Sequence, residues 1–514
     1  MPSSQAMLES AMREADAAWR QRDVVACERA LQKALRIRPA HTPALQLLTQ
    51  AQLLRGDTAR ALQTITKAVK SAPRVGGLRL IQAECYELEG NGEGALGAYH
   101  EAAKLLPGDP RGLCGEASVL ERMHHLDEAQ EVAERAQSLF PKSPVALTMI
   151  AKVLRRQGDP ERAESSLLDA IAHAQTDLDR YPPLFELAKL LDGLGHYDSA
   201  FERFKQANHA QAAAHGMVPI PDDPALAMCD ETKSFTATHY ESWRDDAPDS
   251  SERIAFLFGF PRSGTTMTDR ILGAHGDVVI LEEQPTIREM HASLIKVSPD
   301  GKPIRDLYPA MDSNSVAVLR SAYTQAVRSR LTSKQARLWK DGKMLVIDKF
   351  PLQITAIASI SRVLPDAKVM VALRDPRDVC LSSFMQSFSL NRSMAQLLDL
   401  QSAGRYYNKI MGTWLETRDR LALDWLEIRY EDTVHDFESQ ARRVLGFLGL
   451  DWNDSLGEFH RHAPGTLVST PSYEAVSKPI NSKAIGRWKN YSRHITDLVE
   501  LLDPIVHRLG YEPS

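Results

Sequence analysis

RIAFLFGFPRSGTTMTDRILGAH, residues 253–275, runs from an apolar stretch through a glycine-punctuated turn into a helical pattern. RIAFLFGF (253–260) reads as a short buried strand, and the PRSGTT that follows reads as a loop opening a helix. Gly259 to Thr266 fits G-x-x-x-x-G-[K]-[ST] except that Thr265 stands where the lysine belongs. Backbone N–H groups of such a loop, together with the helix N-terminus, cradle an anion. Arg262 adds a fork-shaped donor. The missing lysine is the one that reaches the outer phosphates of a triphosphate, so the loop suits a nucleotide with a less charged terminal group. Alone, the segment fits a plain strand–helix turn equally well.

A second piece of the same kind is KVMVALRDPRDVCLSSFMQ (368–386): buried strand, turn, helix start. Arg374 at the strand end and Ser382 eight residues on can meet at one corner and hold a second phosphate. Taken alone, that piece is better explained by a salt-bridged turn of Arg374, Asp375, Arg377 and Asp378.

The chain ahead of residue 253 follows a 34-residue ruler. Prolines stand at 39, 73, 107 and 141. Cys27, Ala61, Ala95 and Ala129 lie twelve residues before them, and Ala34, Ala68, Ala102 and Ala136 five before. The phase continues to Ala163 and Ala170 and, after a slip of three, to Ala188, Ala200 and Ala207. Gly56, Gly90, Gly158 and Gly195 fall at the expected turn between two helices. Small residues let antiparallel helices approach closely, and proline ends the second of each pair. One such unit cannot bury its own apolar face, so neighbours must stack into a solenoid. The pattern resembles the tetratricopeptide repeat, with about six copies over 8–211. Either the concave face binds a peptide or protein, or the array scaffolds and dimerises the chain as a homo-oligomer. Residues 212–250 break the period and are rich in Pro, Asp and Ser, so a linker is expected, with Thr232, Lys233 and His239 on an exposed loop.

Composition sets outer limits. Among 514 residues, Lys+Arg 62 against Asp+Glu 67 gives a net charge of −5, which argues against nucleic acid as main partner while leaving room for a local basic cleft. Hydrophobic residues at 43% predict a sizeable core. The five cysteines are scattered without a CxxC pair, which suits a reducing compartment better than disulfides or zinc. No 18-residue apolar run predicts a transmembrane span. Glu9, Glu14 and Asp16 interrupt any signal peptide, so the expected location is cytoplasmic.

PRSGTT with a downstream strand–RDPRD–x₃–SS segment resembles the sulfotransferase family, whose donor is 3′-phosphoadenosine 5′-phosphosulfate (PAPS). VVILEEQP (278–285), LVIDKFP (345–351), LEIRYEDTVHDFE (426–438) and SKPINSKAIGRWKNY (477–491) are similar to segments of the tyrosylprotein sulfotransferases. The resemblance implies an α/β P-loop-like domain with a central parallel sheet at 251–514. It implies Glu283 as base, with Lys349, Arg262 and Ser472 stabilising the leaving oxygen. Ser263, Gly264, Thr265 and Thr266 complete the 5′ cradle. Arg374, Ser382, Tyr430, Ser472 and Arg487 or Lys489 take the 3′-phosphoadenosine end. Charge comes from these side chains, and no metal is expected. PAP (3′-phosphoadenosine 5′-phosphate) is the product, and the acceptor is a hydroxyl of a protein or peptide tyrosine, a sugar or a small molecule. Gln386 stands where the tyrosylprotein enzymes have Arg, so a weaker or reorganised 3′-phosphate grip is expected. Two rivals are a P-loop nucleotide kinase, which needs a Lys at 265, and an inactive repeat scaffold. The scaffold predicts loss of Arg262, Glu283, Lys349 or Arg374, and all four are present.

Overall fold

The computed structural model describes residues 3–21, 23–220, 223–245, 250–453, 455–457 and 481–512. Two compact units emerge, one through Leu190 and a second from Leu191 onward.

The first unit is a stack of antiparallel helix pairs: α1 (Ser4–Arg20) with α2 (Val24–Ile37), α3 (Thr42–Leu54) with α4 (Thr58–Ser71), and α5 (Gly76–Leu88) with α6 (Gly92–Leu105). α7 (Arg111–Arg122) with α8 (Leu126–Leu139), and α9 (Pro144–Gln157) with α10 (Pro160–His173), continue the stack. The ruler residues are its spine: Cys27 and the alanines at 34, 61, 68, 95, 102, 129, 136, 163 and 170 are all 0% exposed. The prolines stand just past the helix ends. The turns between paired helices place Gly56, Gly90 and Gly158 at positive φ, and His124 takes the same left-handed position in the fourth pair. This N-terminal half is a tetratricopeptide-type solenoid. α11 (Asp177–Gly193) crosses the division between the units, and α12 (Tyr197–His215) belongs to the second.

The expected linker at 212–250 is not a loop. α13 (Pro224–Lys233) and α14 (Ala237–Asp245) fill much of it and pack into the second unit, with Cys229, Phe235, Tyr240 and Trp243 buried. Thr232, expected on an exposed loop, is 0% exposed. The Asp-Pro that reads as a breaker is a helix start: Asp223 Oδ1 accepts from the Ala225 N–H, and Pro224 takes the first turn, where its missing N–H costs nothing.

The second unit is built on a five-stranded, all-parallel sheet of order β2-β3-β1-β4-β5. The strands are β1 (Arg253–Gly259), β2 (Val278–Glu282), β3 (Leu345–Lys349), β4 (Lys368–Leu373) and β5 (Asp424–Arg429). β1, β3 and β4 are almost wholly buried, as the apolar runs of β1 and β4 require in a sheet covered on both faces, while β3 also buries Asp348 and Lys349. After β1 the chain goes to one side of it for β2 and β3, then to the other for β4 and β5. That reversal opens a crevice at the carboxyl ends of β1, β3 and β4, where ligands bind in open α/β sheets.

Candidate active site

The expected site residues gather at those carboxyl ends. Leu257 and Glu282 pair in register with Lys349 on β3, and Gly259 pairs with Ala372 on β4. Past the end of β1 the chain turns sharply through the loop and enters α15 (Thr265–Gly273). Gly264 sits at φ +100°, and a Cβ there would lie 2.9 Å from Tyr430 Cδ2. Arg262 has φ +72°, a conformation held by Arg374 Nη1 donating to the Arg262 carbonyl at 3.2 Å. The Ser383 hydroxyl donates to the Pro261 carbonyl at 3.3 Å and ties the loop to the helix Pro376–Phe384. Thr265 and Thr266 are buried at the start of α15, and the buried Ser263 Oγ has no hydrogen-bond partner among the described residues.

A cationic pole forms beside the loop. Arg262 Nε donates to Ser382 Oγ at 3.1 Å. Arg374 lies with its guanidinium carbon 5.1 Å from the Tyr430 ring centroid and donates to the Ala484 carbonyl. Its buried Nε lacks a partner among the described residues. Arg487 is close enough for its charge to act on Arg262: burial, with the charges of Arg374 and Arg487 added, pushes the Arg262 guanidinium down to about 10. Arg487 itself pairs with Asp192 at 2.5 Å, which outweighs burial and holds its charge. A guanidinium lowered by neighbouring cations is favoured by an anion placed among them. Lys489 is exposed, its ammonium 6.0 Å from the Trp488 ring centroid. Gln386 donates weakly to the Ser387 carbonyl at 3.5 Å.

The salt-bridged turn is also there. Arg377 pairs with Asp375 at 2.7 Å, and Arg374 lies 3.7 Å from Asp378. Asp378 accepts from the backbone N–H of Gly486 and Trp488, so the turn fixes the segment that carries Arg487. The salt-bridged turn read from RDPRD is therefore present.

An acidic pole lies at the ends of β2 and β3. Lys349 Nζ is wholly buried and stands 3.1 Å from Glu283 Oε1, 3.3 Å from Glu282 Oε1 and 3.3 Å from Asp269 Oδ2. Burial works against the ammonium, but Asp269, Glu283 and Glu282 outweigh it and hold Lys349 above the usual lysine range. Glu283 is the most open of the three carboxylates and sits at φ +49°, its N–H donating to the Lys349 carbonyl at 2.7 Å. Arg262 and Glu283 are thus two of the three non-glycine residues at positive φ among those described. Such strain, about 1–3 kcal/mol each, clusters at functional sites.

Arg262 was expected at the leaving oxygen and Ser382 at the 3′-phosphate; their side chains are bonded to one another. Ser472 lies outside the described residues. His275 is held by the Asp451 carbonyl and the Asp277 N–H, and His291 by Ser359, so neither joins the two poles. The sequence reading missed Asp269 and Asp192. Their partners are far away in the chain, and no local pattern marks them. Among the described residues, no group of three or more His, Cys, Asp or Glu is placed to hold a metal ion, and no helix is long and apolar enough to cross a membrane.

Residues 255–454 match the family model described as sulfotransferase family, and residues 48–110 and 114–179 match that of the tetratricopeptide repeat. An uncharacterized protein of Aquifex aeolicus is 25% identical over 415 residues, covering 78% of this chain and 52% of that protein. Protein-tyrosine sulfotransferase 1 of Danio rerio is 25% identical over 51% of this chain and 72% of its own length. Protein-tyrosine sulfotransferase A of Caenorhabditis elegans is 22% identical over 52% of this chain and 70% of its own. The chain therefore spans about half the length of the Aquifex relative and about seven tenths of the other two.

Proposed function

We propose that this chain, a tetratricopeptide array followed by a sulfotransferase-family domain, is a PAPS-dependent sulfotransferase acting on a hydroxyl. The observation that carries the reading is the pairing of two poles on one sheet edge. Arg262, Arg374 and Arg487 converge beside a glycine loop, and a buried Lys349 with Glu283 stands one strand away. The Ser263 hydroxyl and Arg374 Nε, without partners among the described residues, fit a bound polyanion.

PAPS would supply the sulfuryl group. Ser263, Gly264, Thr265 and Thr266 would hold its 5′ end. Arg262, Arg374, Ser382, Tyr430 and Arg487 would hold its 3′ end, with Arg487 preferred to the exposed Lys489 and making good the arginine absent at Gln386. The register of the resemblance and the strained backbone together favour Glu283 over Glu282 as base. Its open carboxylate would take the acceptor proton, while Lys349 would neutralise charge on the leaving oxygen. Ser472 would join Lys349, a role resting on the resemblance alone. The acceptor class stays a protein or peptide tyrosine, a sugar or a small molecule, with the array favouring a macromolecule.

Calorimetry with PAP tests the reading. PAP binding without metal is expected, and binding of ATP with Mg²⁺ in its place would favour the kinase. Arg262→Ala should weaken PAP at least tenfold. Glu283→Ala should leave PAP affinity within about threefold and abolish transfer from labelled PAPS. Equal loss of transfer in Glu282→Ala with Glu283→Ala active would move the base to Glu282.

A further inference from the structure

Asp269, on α15, has no part in the roles assigned above. Its side chain is 4% exposed, and Oδ2 stands 3.3 Å from Lys349 Nζ. The charged groups around it are Lys349 from β3, Glu282 from the end of β2 and Arg270 from its own helix; Glu283 meets it only across Lys349. Arg270 is distant from both carboxylates, with Nε 3.9 Å from Asp269 Oδ1 and Nη2 3.9 Å from Glu282 Oε2. Three carboxylates (Asp269, Glu282, Glu283) thus face two cations (Lys349, Arg270), leaving one negative charge in excess next to an anion site. The surplus is most easily cancelled at the most buried carboxylate, because burial penalises the ionised form.

We propose that Asp269 is a positioning residue for Lys349, which holds the ammonium in place and takes up one proton from solvent when the anionic 5′ end of the donor binds. This rests on the PAPS reading above. Lys349 Nζ donates to Glu282 and Glu283 and meets Asp269 as an ion pair; a neutral Asp269 carboxyl can accept a hydrogen bond from it through its carbonyl oxygen. The ammonium therefore stays placed when Glu283 turns to the acceptor, and its charge faces the donor instead of a third carboxylate. The proton is close to hand: burial, with Glu282 adding to it and Lys349 opposing, pushes Asp269 up to about 7.

The test is calorimetric titration with PAP between pH 6 and 8, in two buffers of different ionisation heat so that protons taken up per PAP are read directly. For a carboxyl titrating near 7 in the free protein, wild-type affinity should fall by about tenfold from pH 6 to pH 8, with net proton uptake. Asp269→Asn should bind as wild type at pH 6, about tenfold more tightly than wild type at pH 8, and without that uptake. Titration of PAP's own phosphates is common to both proteins and cancels. Asp269→Glu should restore the pH dependence, which a purely space-filling role would not require. If Asp269→Asn does not fold, Asp269→Ser removes the same charge at smaller volume. An uncharged variant that follows wild type across the pH range, with equal proton uptake, overturns the proposal. A wild type that binds ATP with Mg²⁺ and not PAP overturns the PAPS reading itself, so the two failures are told apart.

Discussion

Gly264 shows how single residues make this site. At φ +100°, with Tyr430 2.9 Å from where a Cβ would stand, the position admits only glycine. Gly264→Ala should cost about 1–3 kcal/mol and push the Tyr430 ring from beneath Arg374. A lowered melting temperature together with weakened PAP binding is the expected outcome; wild-type PAP affinity in a folded variant would remove the loop from the donor site. This glycine was legible in the sequence because loop motifs are local. So were Arg262 and Thr266, which share its eight-residue frame. Asp269 shares the segment yet was not legible, because its meaning lies in Lys349, eighty residues on. Asp192 is harder still: its pairs with Arg487 and Tyr491 span 295 and 299 residues. A long-range ion pair has no spacing to read.

At the scale of elements, periodicity was the readable quantity. The 34-residue ruler located the helix pairs because each small residue marks a place where two helices touch. Gly112 belongs to the same logic without belonging to the ruler: a Cβ there would lie 2.6 Å from the Ala103 backbone nitrogen and 2.7 Å from its Cα, where α7 meets α6. Backbone cannot swing aside as a side chain can. Gly112→Ala should therefore destabilise the array by about 1–3 kcal/mol, read as an earlier loss of helical signal in a urea titration. An unchanged midpoint would mean that α6 and α7 are free to separate there. α13 and α14 were missed for the opposite reason. They carry no repeat, and α13 begins at an Asp-Pro that signals a break and a helix start alike. Tyr240 and Trp243 do stand at helical spacing, but α14 is only nine residues long, too short for the stripe to repeat.

The scale of the whole molecule decides where the second unit begins. Sequence periodicity ends the array at 211 and the resemblance starts the sulfotransferase-like domain at 251, whereas the second compact unit starts at Leu191. The difference is physical. Within that unit, α12 buries Phe201 and Phe204, and Asn208 donates to the Phe384 carbonyl at 2.8 Å, on the helix bearing Ser382. Tyr406 donates to Asp223 at 2.8 Å, and Phe235, Tyr240 and Trp243 are buried beyond it. Removing a buried Phe or Trp side chain costs about 3–5 kcal/mol. Losing several at once matches the entire stability of an ordinary domain, about 5–15 kcal/mol. A fragment of residues 251–514 should therefore lack a cooperative thermal transition and bind an apolar dye. A fragment of 191–514, which keeps Asp192 on Arg487, should melt cooperatively and gain melting temperature with PAP. Cooperative melting of 251–514 with intact PAP binding would make residues 191–250 dispensable to the second unit. Failure of the shorter fragment alone would make α12 to α14 part of the second unit's fold, although half of that stretch was written in the rhythm of the repeats.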